Sequence, residues 1–197
     1  MSRYKEFDQY EELLKGRLSK KRFTHTMNVA EACYDLAERF GGDKKRCYLA
    51  GMLHDIMKEE LPERQKQMTA GSGFQPDSAE IDTPALRHAV AGAAYVRDQL
   101  GIDDEEILAG IRFHTIGCAK MTLLEKIVYL GDMISAERSY KDVDRFRKIC
   151  HSDLDRAMAV ALAYNIMEVC RKCGYIPHYT FEAYNYYLKY NKDKEIL

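Results

Sequence analysis

Apolar residues recur at three- and four-residue intervals through most of the chain, and no stretch alternates strictly like a half-buried strand. The punctuation between these runs is helical. Ser19 caps a helix predicted from about 20 to 40 and closed by Gly41-Gly42; Asp43 caps the next, from about 44 to 60. Thr83-Pro84 reads as an N-cap followed by proline at the first helical position, with Gly101 closing that helix. Asp103 with Glu106 reads as a capping box before ILAGIRFHT, which Gly117 closes. Thr122 with Glu125 is a second, opening LLEKIVYLGDMISAE. Asp153 opens a long helix to about 172, ended by Gly174 and followed by Pro177, and Thr180 opens a last one, FEAYNYYLKY. Segments 61–82 and 135–152 look least regular, with GSGFQPDS (71–78) a loop. The pattern predicts one all-α domain over 1–197, a helical bundle with short connections.

Composition narrows the class. The chain's 197 residues suffice for one sizeable core. Thirty Lys and Arg against 31 Asp and Glu leave a net charge of -1, which advertises neither nucleic acid nor an anionic membrane. The N-terminal stretch MSRYKEFDQYEELLKGRL is too charged for a signal peptide, and no apolar run approaches the roughly 20 residues that span a bilayer. A cytoplasmic protein is expected. The six cysteines show no disulfide spacing; Cys170-x-x-Cys173 has no second pair with which to hold zinc, so these two are expected to be helix-packing thiols.

The histidines change the picture. They stand at 25, 54, 88, 114, 151 and 178. The first four fall on four successive predicted helices, in RFTHTMNVA, LHDIMK, ALRHAVAGA and IRFHTIG, and Asp132 lies on the next, in KIVYLGDMI. Singly, each reads as a core histidine with a hydrogen bond, or as an aspartate paired with a neighbouring Arg or Lys. Jointly they would leave one small core with many isolated buried polar groups, each costly. A metal centre explains them with one cause, imidazoles and carboxylates converging on cations from several helices. His54-Asp55 is the most specific piece. Neighbouring helix positions differ by about 100°, so the pair can flank one cation, or the carboxylate can bridge two. Lys58 lies one turn on, either as a phosphate partner or as a solvated lysine opening the charged run KEE. His151 and His178 are read as ordinary structural histidines.

The order His25, His54-Asp55, Asp132 resembles the HD superfamily of metal-dependent phosphohydrolases, helical proteins named for the His-Asp pair, and His88 and His114 resemble its two-metal branch. RFTHTMNVAEAC, LAGMLHDIMKEE, RHAVAGAAYV, EEILAGIRFHTIG and LLEKIVYLGDMISAER together are similar to the symmetrical dinucleoside-tetraphosphate hydrolases, over about 17 to 187. The resemblance implies a single HD-domain bundle. In it His25, His54, Asp55 and Asp132 hold one metal ion, and His88, His114 and a bridging Asp55 hold the second. It places Lys58, Thr115, Gly117 and Arg138 at the nucleotide-phosphate site. The chain departs at one point. The family tends to I-E-P-x-R after the last metal aspartate, where this chain has Ile134-Ser135-Ala136-Glu137-Arg138, keeping the arginine but not the glutamate or the proline.

Two cations bridged by Asp55 would lower the pKa of a water and polarise a phosphoryl oxygen for in-line attack, with Lys58 and Arg138 neutralising the phosphates. Nitrogen and oxygen ligands fit iron, manganese, zinc or nickel, and the resemblance tips the choice toward iron. The expected activity is symmetrical hydrolysis of diadenosine tetraphosphate or a related dinucleoside tetraphosphate to two nucleoside diphosphates. Alternatives on the same residues are a nucleotidase or nucleoside-triphosphate hydrolase, or a nucleotide-binding regulatory module with little chemistry. A helical interaction protein with core histidines is a third reading, and it predicts no stoichiometric metal. The expected partners are a dinucleoside polyphosphate or nucleotide, with no nucleic acid and no membrane. A homodimer contact through Tyr184, Tyr186, Tyr187 and Tyr190 is an alternative to helix packing for that stripe. KDKE near the C-terminus is expected to be a solvated tail.

Overall fold

The structure, a computed structural model, describes residues 2–192. Most of the expected KDKE tail lies outside the described residues. Among them no strand occurs, and the helices are α1 (Asp8–Arg17), α2 (Lys20–Phe40), α3 (Lys44–Leu53), α4 (Pro62–Ala70), α5 (Ser78–Asp82), α6 (Pro84–Leu100), α7 (Glu105–Phe113), α8 (Leu123–Ile134), α9 (Val143–Cys150), α10 (Leu154–Arg171) and α11 (His178–Tyr187). The all-α expectation holds. No described helix is long and apolar enough to cross a membrane.

Local chemistry sets most of the boundaries. The Ser19 side chain accepts from Arg22 N, and Gly41 ends α2 at φ 72°. The Asp43 carboxylate accepts from Lys45 N and Arg46 N at the start of α3. Thr122 and Glu125 form the reciprocal capping box of α8, and Asp153 caps α10. Four expectations are corrected. The cap of α7 is Asp104 rather than Asp103, accepting from Glu106 N and Ile107 N. Helix α3 stops at Leu53, because the chain from His54 onward turns through i→i+3 bonds. Helix α11 begins at His178 behind Pro177, and Thr180 instead donates its hydroxyl to Ile116 O at 2.9 Å. The segments read as irregular contain α4, α5 and α9. In α9 the buried Val143, Phe146 and Ile149 form one narrow stripe among charges.

Helix α2 packs on α3 and α8, α7 packs on α6, α8 and α3, and α10 packs on α8, α9 and α11. The approach of α3 and α8 to α2 is close. A Cβ added at Gly51 would lie 2.8 Å from Cys33 Sγ, and one at Gly131 would lie 2.7 Å from the same atom. Tyr187 is buried and accepts at its hydroxyl from Met121 N, while Tyr184, Tyr186 and Tyr190 lie half-buried against the core. Cys170 and Cys173 are exposed, contrary to the packing role expected of them, because the end of α10 runs beyond the core.

Candidate metal centre

Helices α3 and α7 run side by side in the same direction. At their starts the Arg46 guanidinium grips the Asp104 carboxylate, with Nε to Oδ2 2.8 Å and Nη2 to Oδ1 2.6 Å. At their ends each presents a histidine in the C-cap position, His54 and His114. Each ring donates from Nδ1 to the carbonyl three residues back, Gly51 O and Ile111 O, both at 2.7 Å. Helix ends leave carbonyls free for such bonds. The bond fixes the tautomer and turns the bare Nε2 toward the centre. After His54 the tight turns carry Asp55 alongside, with Oδ2 3.4 Å from His54 Nε2.

Two triads result: His25, His54 and Asp55, and Asp55, His88 and His114, all buried. Asp55 belongs to both. Its Oδ1 lies 3.0 Å from His88 Nε2 and 3.5 Å from His114 Nε2; its Oδ2 lies 3.7 Å from His25 Nε2. Asp132 stands outside the two triads but adjoins the first, with Oδ1 3.1 Å from His25 Nε2. It is also paired with the Arg138 guanidinium, which donates from Nε to its backbone carbonyl at 2.8 Å. Among the described residues, His25 Nε2, His54 Nε2 and Asp55 Oδ1 are buried without an aligned hydrogen-bond partner. Three such atoms in one place would be costly. A cation satisfies all of them, so these residues fit a metal.

Charge keeps Asp55 ionised, and burial keeps two of the imidazoles neutral. Burial opposes ionisation of Asp55, but His54, His114 and His88 hold it well below the usual carboxylate range. Burial pushes His88 down to about 4 and lowers His114, so both are neutral imidazoles at neutral pH. His54 is raised, its burial outweighed by Asp55. Three cationic side chains stand around the carboxylates. Arg22 Nη1 is 2.8 Å from Asp55 Oδ2, Arg138 pairs with Asp132, and Lys58 Nζ is 3.3 Å from His88 Nε2. Burial lowers the Lys58 ammonium.

Two residues at the centre escaped the sequence reading. Arg22 precedes His25 by three residues, a spacing that shares a helix face and was there to be read. Glu137 had no such signal. Its Oε1 accepts from His25 Nδ1 and from Ser135 Oγ at 2.8 Å, and its Oε2 accepts from Asn28 Nδ2 at 2.7 Å. Thr115 is half-buried along the cleft that reaches His114, and its hydroxyl is itself buried without a partner among the described residues. Gly117 is buried against Leu162, Tyr129 and Ala183, at φ 68° in the turn that ends α7, and does not line the cleft.

Two clefts open onto the centre and share Arg138 and Tyr140. One, about 570 Å³, reaches His25 between Ser19, Arg22 and Glu59. The other, about 480 Å³, reaches His114 and Asp132 along α10.

Comparison with known proteins gives a consistent result. The HD domain family matches residues 22–137. The chain is 36% identical over 173 residues to a Bacillus subtilis protein named symmetrical bis(5'-nucleosyl)-tetraphosphatase, covering 88% of this chain and 92% of that one. A Halalkalibacterium halodurans protein of the same name is 35% identical over 174 residues, with the same coverage. The crystal structure of a predicted HD superfamily hydrolase involved in NAD metabolism, from Clostridium acetobutylicum, superposes with a TM-score of 0.89 at 33% identity, over 93% of this chain and 97% of that one.

Proposed function

Because the chain belongs to the HD-domain family, among the symmetrical bis(5'-nucleosyl)-tetraphosphatases, we propose that it is a metal-dependent hydrolase of dinucleoside tetraphosphates, releasing two nucleoside diphosphates. The observation that carries this reading is the pair of His/Asp triads sharing Asp55, with bare, buried ligand atoms turned inward.

In this reading His25, His54, Asp55 and Asp132 hold one ion, and Asp55, His88 and His114 hold a second. Iron is the leading candidate, with manganese, zinc and nickel compatible with the same donors. Bound there, the ions supply acidification of a water and polarisation of a phosphoryl oxygen. The chain's own residues do the rest. Asp55, pinned by Arg22, fixes the spacing of the two triads. Arg22 and Arg138 line the clefts and Lys58 stands behind them at His88, so positive charge surrounds a phosphoryl group that spreads negative charge over its equatorial oxygens during in-line attack. The arginines suit bidentate contact with phosphate, and Lys58 acts as a point charge. Thr115 lines the cleft, but its hydroxyl is buried, so a contact with a phosphate oxygen needs that side chain to turn outward. Two clefts meeting at Arg138 suit a substrate that extends on both sides of the bond to be cut.

The test is to load the protein with iron or manganese, incubate it with diadenosine tetraphosphate and separate the products. ADP alone is expected, and none from Asp55→Ala or His54→Ala. ATP plus AMP would overturn the central cut, and metal-loaded protein without turnover would overturn the hydrolase reading.

A further inference from the structure

Helix α10 is fully buried at Leu154 and from 157 to 162, but from 163 to 169 it is only half-buried, although this stretch carries Ile166, Met167 and Val169. This open side forms one wall of the cleft that ends at His114 and Asp132. Tyr164 stands in that wall. One face of its ring is stacked on Tyr140, with centroids 5.7 Å apart and planes 23° from parallel. Tyr140 is itself held in place, donating its hydroxyl to Met133 O at 3.2 Å. The next residue, Asn165, donates from its amide to the hydroxyl of the buried Tyr129 at 2.7 Å, which fixes the amide plane. Its Oδ1 accepts no hydrogen bond among the described residues. From Tyr164 to Lys172 the wall runs about 12 Å along the helix axis.

An aromatic face, an oriented amide at its edge and a guanidinium toward the metal end complement the three parts of a nucleotide. The base offers a π-face and a hydrogen-bonding edge, and the phosphates offer charge. Among the described residues the opposite cleft has no comparable wall, since beyond the shared Tyr140 and the His25 imidazole it is lined by serines and charged side chains, Ser19, Lys21, Arg22 and Glu59 among them. We propose that the α10 cleft seats one nucleobase of the dinucleoside substrate, stacked on Tyr164 with the Asn165 amide at its edge, an assignment that rests on the function proposed above.

The chain has no tryptophan, so Tyr164→Trp introduces a single indole at the proposed stacking position. In the metal-loaded variant, ADP is expected to quench that indole and pyrophosphate to leave it unchanged. Calorimetry should show Tyr164→Ala binding ADP about tenfold more weakly than the parent, the scale of one base–aromatic stack, with Tyr164→Phe restoring the affinity. Quenching by ADP no greater than by pyrophosphate, or ADP affinity unaltered in Tyr164→Ala, overturns the subsite. Turnover of diadenosine tetraphosphate by the parent protein is measured in parallel. Turnover without quenching overturns the subsite alone. Quenching without turnover supports the subsite and overturns the hydrolase reading. The absence of both overturns both.

Discussion

Arg22 places Nη1 2.8 Å from Oδ2 of Asp55, whose other carboxylate oxygen faces His88 at 3.0 Å. One face of α2 therefore supplies an imidazole to the first triad and a guanidinium to the carboxylate that both triads share. Asp55 is buried and Arg22 is partly exposed, so the guanidinium spans the boundary between the centre and the cleft. Arg22→Ala is expected to lower kcat/KM for the tetraphosphate about 10- to 100-fold, the scale of a lost charge-assisted hydrogen bond. Arg22→Lys should recover only part of this, because an ammonium lacks the planar fork. Steady-state kinetics on preparations of known metal content checks it, and unchanged kcat/KM would remove Arg22 from the phosphate site.

Glu137 orients His25 from outside as Gly51 O and Ile111 O orient His54 and His114 from within their own helices. His25 sits mid-helix, where the backbone carbonyls are engaged, so a side chain has to serve. Outer partners of ligating histidines typically carry about 10- to 100-fold in metal affinity. Glu137→Ala is expected to lose an amount of that order, and Glu137→Gln less, since an amide still accepts from Nδ1–H without the charge. Competition with a chromophoric chelator reads this directly, and equal affinities in all three proteins would show that Glu137 is dispensable.

How far the sequence reached can be judged from these same residues. His25, His54, Asp55, His88 and His114 were legible because each is a polar group at a position where helical periodicity demands burial. The caps at Ser19, Asp43, Thr122 and Asp153 were legible because their chemistry is local. Helix α9 was hidden because its apolar stripe is one residue wide, and α1 because it begins and ends among charges. The end of α3 at His54 could not be read, since the apolar run continues through Ile56 and Met57 while the backbone tightens. Glu137, Tyr140 and Tyr164 were invisible for a different reason. Their roles depend on where the 135–142 loop passes between α2 and α10, a tertiary fact with no local signature.

Removing the metal should be felt by the whole fold, because the triads draw on α2, α3, α6 and α7 and the turns after α3 and α7. A ligand present at 100 times its Kd stabilises by about 2.7 kcal/mol. For a chain of this length that corresponds to a fall in Tm of roughly 5–10 °C on chelation. Thermal scans with and without chelator measure it, and a Tm that ignores chelation would return these histidines to an ordinary core.

Gly51 sits one turn before His54, and an added Cβ would lie 3.1 Å from Ala30 Cα and 3.2 Å from Cys33 Cβ, as well as 2.8 Å from Cys33 Sγ. The sulfur can rotate away, but the α2 backbone cannot. Gly51→Ala should therefore push α3 off α2 and destabilise the fold by about 1–3 kcal/mol, the usual cost of overpacking, despite alanine's better helix propensity. Because the displaced helix carries His54, metal affinity should fall with stability. Chemical denaturation together with metal titration tests the pair of effects, and a stable variant with weakened metal binding would separate packing from ligand placement.

The Arg46–Asp104 pair joins the two helices at the ends opposite their histidines, and it sets a pH dependence of known sign. The Arg46 hydrogen bonds lower the Asp104 carboxyl below its ordinary value. A carboxyl lowered in the folded state contributes stability that is complete above the unfolded value, near 3.9, and is lost as pH falls through the lowered folded value. Both side chains are about a third exposed, at 36% and 32%, so solvent screening limits the charge term; about 0.5 kcal/mol is expected. Asp104→Asn keeps an acceptable cap for α7 and removes only the charge. Its Tm should lie slightly below the parent's at pH 7, and the gap should close as pH drops through the lowered Asp104 value. A gap that persists in acid would assign the pair's contribution to capping geometry, and no gap at pH 7 would mean that the Asp104 charge adds nothing to what the apolar faces of α3 and α7 and the Arg46–Glu106 pair, at 2.8 Å, already supply.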